Sequence, residues 1–250
     1  GSARSGSVRR AAAITGAAVV AAAVLGACSP DELVASVGGR THEERNRYTV
    51  DTAVTAVDVV SVAGDITVTE SGRSGVAVTE ALFWRGGADA RPRTRHEVKD
   101  GVLVLRYECP ASSRPRCWVD YRVEVPRGVR VQASGTAGNV TLRGLSGDVT
   151  ASTGAGEITG EELTARRLVG RSGAGDVEVR FGAAPDDVRI DVGAGNGTVY
   201  LPAGRYAVTA ETAAGERVVG VDRDDSAPHR IVVRSGAGDA KVLRLPSPAP

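Results

Sequence analysis

The hexapeptide RSGAGD occurs twice in this 250-residue chain, at 171–176 and 234–239. A glycine-rich run ending in a carboxylate could cradle a phosphate, hold a calcium ion or turn a corner. Phosphate cradles need glycines that open a helix, so that its N-terminal amides face the anion. The best stretch for that, GAGNGTVYLPAG with Gly193, Gly195 and Gly197, runs instead into Thr198, Val199 and Tyr200, a strand-like sequence. Calcium is the stronger rival, because Gly138, Gly147 and Gly156 follow one another at nine residues, the period of nonapeptide calcium rolls. Those rolls use GGxGxD, whereas here the acid or amide follows the last glycine directly and falls on the opposite strand face. Asn139 and Asn196 bring no charge, and calcium takes several convergent oxygen ligands. Hydrolytic chemistry is no better supplied: His42, His96 and His229 are scattered, and no register assembles Ser, His and Asp. Asp222, Asp224 and Asp225 form the densest acidic cluster and read as an exposed loop. The corner remains: a glycine at positive φ, then an acid or amide bonding local backbone amides.

The corners recur through the chain. Gly64-Asp65, Gly138-Asn139, Gly147-Asp148, Gly156-Glu157, Gly175-Asp176, Gly195-Asn196, Gly215-Glu216 and Gly238-Asp239 share one pattern, with glycine spacings from 138 onward of 9, 9, 19, 20, 20 and 23. With the acid or amide as zero, positions +1 and +3 are apolar, as in Ile66 and Val68 or Val177 and Val179. Positions −8, −6 and −4 are apolar or small, as in Val188, Ile190 and Val192 or Ile231, Val233 and Ser235. Period two on both sides means that each mark joins two strands, each burying one face. Two short strands cannot fold alone, but stacked coils pair in parallel about 4.8 Å apart and enclose a narrow interior. A chain with 32 glycines, 4% aromatic residues and no methionine suits such an interior. The expected fold is all-β: a single-stranded parallel β-helix or β-solenoid with about 18–23 residues per coil. The two RSGAGD copies lie 63 residues apart, which predicts about three coils between them. Arg217, at a +1 position, breaks the pattern and predicts a frayed coil or an outward bulge. The longer strands of 50–125, with the insertion RGGADARPRTRH, read as the start of the same stack with hairpin-like excursions that cap its first coil.

The N-terminus reads as an address. Arg4, Arg9 and Arg10 precede the apolar run 11–27, which is followed by Cys28. As a helix, 17 residues span about 26 Å, short of the roughly 30 Å hydrocarbon core. A secretory signal fits better than a permanent span. Leu25-Gly26-Ala27-Cys28 resembles the lipobox of bacterial lipoproteins, which implies a diacylated Cys28 as first mature residue, anchored by two acyl chains. An uncleaved membrane helix is the alternative, and both place the body outside the cytoplasmic membrane. Cys109 and Cys117 remain, on a Pro-containing loop between strand-like runs. They are expected to form a disulfide, with independent buried thiols as the alternative. Two cysteines without neighbouring histidines do not complete a zinc site. Removing three arginines from a formal charge of +1 leaves about −2, no field to recruit nucleic acid. Residues 28–47 read as a flexible tether, 48–245 as the repeat domain and 246–250 as a tail.

VDVVSVAGDITVTE, VDYRVEVPRGVRVQASGTAGNVTLRGLSGDVTAST, RSGAGDVEVR and GNGTVYLPAG occur in that order. In this the chain resembles the bacterial putative-adhesin domain family, β-strand-repeat proteins of the cell envelope, over roughly 48–245. The resemblance implies a β-solenoid and brings no catalytic residue, cofactor or defined ligand. The expected function is a lipid-anchored, extracytoplasmic, non-enzymatic binding, adhesion or scaffold module whose partner is an envelope protein or polymer. A calcium-stabilised repeat and a polysaccharide-acting β-helix enzyme are the competing functions.

Overall fold

Period-two alternation becomes twenty strands in the computed structural model, which describes residues 40–111 and 117–246. In chain order they are β1 (Thr41–Val50), β2 (Ala56–Ala63), β3 (Ile66–Glu70), β4 (Val76–Arg85), β5 (Arg93–Lys99), β6 (Val102–Glu108) and β7 (Cys117–Val125). Then follow β8 (Arg130–Ala137), β9 (Val140–Arg143), β10 (Val149–Ala155), β11 (Ile158–Leu163), β12 (Arg167–Ala174), β13 (Val177–Phe181) and β14 (Asp187–Ala194). The last are β15 (Gly197–Leu201), β16 (Arg205–Ala214), β17 (Arg217–Val219), β18 (Asp222–Arg223), β19 (Arg230–Ala237) and β20 (Ala240–Arg244). The strands form two ten-stranded sheets. One has the order β1-β4-β7-β3-β9-β11-β13-β15-β20-β17, the other β18-β16-β19-β14-β12-β10-β8-β2-β6-β5. Pairing is parallel except for β1 with β4, β4 with β7 and β5 with β6. Apart from a 3-10 turn at Ala88–Ala90, the described residues are therefore all-β, with two large, mostly parallel sheets and no closed barrel among them.

Seven corners carry the chain from the second sheet to the first: β2 to β3 at Gly64, β8 to β9 at Gly138, β10 to β11 at Gly156, and likewise at Gly175, Gly195, Gly215 and Gly238. Each such strand pair is a layer, and the interior between the sheets is filled by its inward residues. Val57, Val59, Ile66, Val68, Val177, Val179, Val188, Ile190, Ile231 and Val233 are all essentially buried. The larger Trp84, Tyr107 and Tyr121 are buried at the N-terminal end, where β4 and β7 are longer and the sheets extend beyond the first layer, and Phe181 and Tyr206 are buried further along the stack.

Three expectations need correction. The ordered domain does not begin near Tyr48: β1 starts at Thr41 and pairs with β4 along its whole length, from Thr41 opposite Arg85 to Val50 opposite Val76. Its inward positions hold His42, Glu44, Asn46 and Tyr48, so no apolar alternation announces the strand. Its packing is polar and aromatic instead: Glu44 pairs with Arg91 at 2.6 Å, His42 stacks on Trp84 and Tyr48 on His96. Gly147 is not one of the stacked marks. It lacks a positive φ and sits at another corner, between β9 and β10, where a Cβ would fall 2.2 Å from the Val129 carbonyl oxygen. Half of an 18-residue layer separates it from Gly138 and Gly156, which is why the spacing of nine looked like one repeat.

The third correction concerns order. Spatial and chain order agree from the first layer through β14–β15, and then β19–β20 lies between β14–β15 and β16–β17. Asp187 pairs with Arg230 and Val188 with Ile231 on one side of β19, and Ala207 pairs with Arg230 and Val208 with Ile231 on the other. The two RSGAGD copies are thus two layers apart, because the layer that intervenes in sequence has moved outward. Arg217 belongs to that displaced end layer, where its side chain is exposed, which accounts for the misfit without a bulge.

Candidate functional site

At the stacked corners the glycines have φ between +128° at Gly64 and +153° at Gly215, a region open to glycine and strained for other residues. Space makes the same demand. A Cβ on Gly138 would lie 2.1 Å from the Gly64 carbonyl oxygen, and one on Gly175 would lie 2.1 Å from that of Gly156. The Asp or Asn after a corner glycine links layers rather than bonding local amides as the sequence suggests. Asp120 Oδ1 accepts from the Asp65 amide (2.9 Å), Asp65 Oδ1 from Asn139 (2.8 Å) and Asn139 Oδ1 from Glu157 (2.9 Å). Asp176 Oδ1 then accepts from Asn196 (2.7 Å), Asn196 Oδ1 from Asp239 (2.9 Å) and Asp239 Oδ1 from Glu216 (2.9 Å). Asp and Asn can do this because their short side chains put an oxygen at the next layer's amide, whereas Glu157 and Glu216 enter the column through their backbone amides alone. One oxygen of each of the Asp65, Asp176 and Asp239 carboxylates is thus taken by a backbone donor, and the second oxygen of Asp239 pairs with Lys241 at 2.7 Å.

A second column lies inside, four residues before each zero position. Thr153 donates to the Gly138 carbonyl (3.0 Å), Ser172 to Gly156 (2.9 Å), Ser235 to Gly195 (2.8 Å) and Thr212 to Gly238 (2.7 Å). These hydroxyls are interior and hydrogen-bonded, as burial requires. Val192 occupies the equivalent position in its layer and offers the Gly175 carbonyl no hydroxyl.

Side chains with chemical potential gather at the N-terminal end. Glu80 is 1% exposed and accepts a 2.8 Å hydrogen bond from the Tyr48 hydroxyl; Tyr121 stands opposite it across the strand pair, its buried hydroxyl without a partner. Burial raises the Tyr48 and Tyr121 phenol pKa values, reinforced by Glu80 in both cases. Burial also raises Asp120, opposed by the hydrogen bond from the Asp65 amide. Beside this end is a cleft of about 760 Å³ lined by Thr94, Arg95, His96, Glu97, Arg106 and Glu108, among others. Arg95 pairs with Glu108 at 2.6 Å, Arg106 with Asp58 at 2.7 Å, and His96 lies over Tyr48 with ring centroids 4.3 Å apart. The wall can donate to and accept from a polar ligand.

The other expected residues have separate places. Cys109 and Cys117 are disulfide-bonded, with Cα atoms 5.7 Å apart. Cys28 lies outside the described residues. His42 stacks on Trp84, and His229 Nδ1 lies 2.7 Å from the Pro185 carbonyl oxygen, so the three histidines do not converge. Among the described residues no group of three His, Cys, Asp or Glu could hold a metal ion, and no helix is long and apolar enough to cross a membrane. Of the acidic cluster, Asp224 accepts from the Ser226 amide and hydroxyl, which lowers its pKa. Sequence reading missed Glu80 and the cleft. An acid at an inward position of an apolar alternation was the available signal for Glu80.

Comparison with known proteins gives solved structures only; no family model and no curated protein matches the chain. The chain is similar to a putative cell adhesion protein from Clostridium sporogenes, at 13% identity and TM-score 0.46, over 82% of this chain and 100% of that one. It is also similar to putative adhesins from Parabacteroides merdae, at 12% identity and TM-score 0.34 over 80% and 97%, and Bacteroides fragilis, at 12% and 0.34 over 81% and 97%.

Proposed function

We propose that the chain is an extracytoplasmic β-solenoid acting as a binding, adhesion or scaffold module of the bacterial envelope, without catalysis, and held to the membrane by lipid on Cys28. The Cys109–Cys117 disulfide carries the placement, since such bonds persist where the compartment is oxidising. The layer-to-layer use of polar groups supports the scaffold role: the corner acids bond backbone amides and the interior hydroxyls bond glycine carbonyls. A rigid stack of this kind presents long outer faces, and the cleft beside His96 offers a concave polar wall to an envelope polymer or protein.

Two measurements test the two halves of this reading. Metabolic palmitate labelling should mark the wild type and not Cys28→Ala; equal labelling overturns the anchor. Capture on immobilised envelope polymers and membrane proteins should retain the wild type and lose retention on Arg95→Ala with His96→Ala. Retention unchanged by those substitutions removes the cleft from the function.

A further inference from the structure

The displaced end layer carries an inference about how the stack closes. β14 and β16 both bond β19, and they do so through the same register: Val188 and Val208 both oppose Ile231, Ile190 and Ala210 both oppose Val233, and Ala194 and Ala214 both oppose Ala237. The edges that β14 and β16 now offer to β19 therefore match one another. The sequence repeats this match, for Val188 and Val208 are 20 residues apart, as are Gly195 and Gly215 and, one layer earlier, Leu168 and Val188. Residues 205–219 can sit directly on β14–β15 as a regular next coil. They also leave the ribosome before residues 230–244.

Three features make that regular seat the weaker one. The first is Arg217, whose partner in the first sheet is Ala240, itself paired with Gly197. In chain order Arg217 would lie at an inward position between Gly197 and Ala240, both buried, and an unpaired guanidinium there is costly. In the observed order it lies at the exposed end. The second is charge on the outer face. The column Arg171, Asp191, Arg234, Glu211 alternates in sign in the observed order, with Arg234 and Glu211 at 2.7 Å and Arg171 and Asp191 at 3.7 Å. Chain order would bring Asp191 beside Glu211. The third is fit: Gly197 leaves room for Val233, whose Cγ1 would stand 2.8 Å from a Cβ at that glycine, and Ala210 in its place would leave a void.

We propose that β16–β17 is a movable end cap. It seats first on β14–β15, and residues 230–244 then insert beneath it, displacing it outward by one layer. Arg217, the Asp191–Glu211 repulsion and Gly197 make the insertion run to completion. The connection at 220–229 needs only to let the last segment move one layer inward, about 4.8 Å.

Cysteine pairs at outward positions distinguish the two orders. Arg189 opposes Val232, and Val232 opposes Thr209, so Arg189→Cys with Val232→Cys spans adjacent layers only in the observed order. Arg189→Cys with Thr209→Cys does so only in chain order; otherwise the pair is about 9.6 Å apart, beyond disulfide reach. Val169→Cys with Val232→Cys, two layers apart in the observed order, sets the background. In the full chain carrying Cys28→Ser, refolding is pulsed with oxidant at successive times and the cross-links are counted by peptide mass. The 189–209 cross-link should exceed the background pair at least about fivefold in early pulses, the factor for one kcal/mol, and fall to background once 189–232 dominates. Arg217→Val should prolong the early phase severalfold. A 189–209 yield at background in every pulse, in both the parent and the Arg217→Val chain, overturns the proposal. A 189–209 cross-link that persists in the fully refolded parent overturns it as well.

Discussion

The closest test of the corner geometry compares three glycine-to-alanine changes that separate backbone conformation from space. Gly144 has φ +63°, a left-handed conformation other residues can reach, and nothing lies near its added Cβ. Gly144→Ala should cost about 1 kcal/mol, the price of left-handed φ for an L-residue. Gly173 has no positive φ, but its Cβ would stand 2.5 Å from the Gly154 carbonyl oxygen. Gly175 combines both problems, with φ +132° and a Cβ 2.1 Å from the Gly156 carbonyl oxygen. That oxygen cannot move away cheaply, because it accepts the Ser172 hydroxyl and belongs to the neighbouring layer. Strain in a region closed to L-residues is about 1–3 kcal/mol, and parting two layers adds lost contacts on top. We expect about 3–5 kcal/mol for Gly175→Ala, which is on the order of 6–20 °C in Tm for a domain this size. Urea denaturation with a constant m-value measures all three. If Gly175→Ala costs no more than Gly144→Ala, the close approach between layers is wrong, and with it the physical reason for the repeated glycine.

Other changes follow from named contacts. Tyr48→Phe removes the donor to buried Glu80 and should cost about 1–3 kcal/mol, whereas Tyr121→Phe removes a hydroxyl without a partner and should be neutral or stabilising; equal losses would deny the difference. Val192→Thr places a hydroxyl where the neighbouring layers have one, so it should hold or raise the melting temperature, against the usual loss for a buried Val-to-Thr change. Asp120 has a raised pKa, so its charge lowers stability above that pKa and the cost vanishes below the unfolded-state value. Asp120→Asn, which can still accept from the Asp65 amide, should therefore stabilise at neutral pH and lose its advantage as the solution is acidified. Millimolar calcium should leave Tm unchanged because the corner carboxylates already accept backbone donors; a rise reversed by chelator would restore the calcium reading.

What the sequence revealed depended on whether a physical requirement was local. The corner glycines were legible because each needs positive φ and flanking alternation within a dozen residues, and seven of the marks stand in one stack. The start of β1 is illegible because its residues His42, Glu44 and Tyr48 are satisfied by Trp84, Arg91, Glu80 and His96, all distant in the chain. Local spacing marks the corner acids as turn residues but not their partners, since a hydrogen bond to the next layer leaves no trace in it.

Layer order shows the limit most clearly, and also how far a misfit can be pressed. A period of about 20 residues fixes what each layer looks like and says nothing of which layer follows which. Order is decided by contacts between layers: Arg234 with Glu211, Val233 against Gly197, and the position of Arg217. Of these, Arg217 was visible beforehand, as the inward arginine in an otherwise apolar register. A buried, unpaired guanidinium is disfavoured strongly enough that its layer belongs at an end. The chain continues past it with a complete coil at 230–244, so that coil has to enter further in. A charge at an inward position of a repeat can be taken as a sign of a terminal layer, even when the layer is not terminal in sequence.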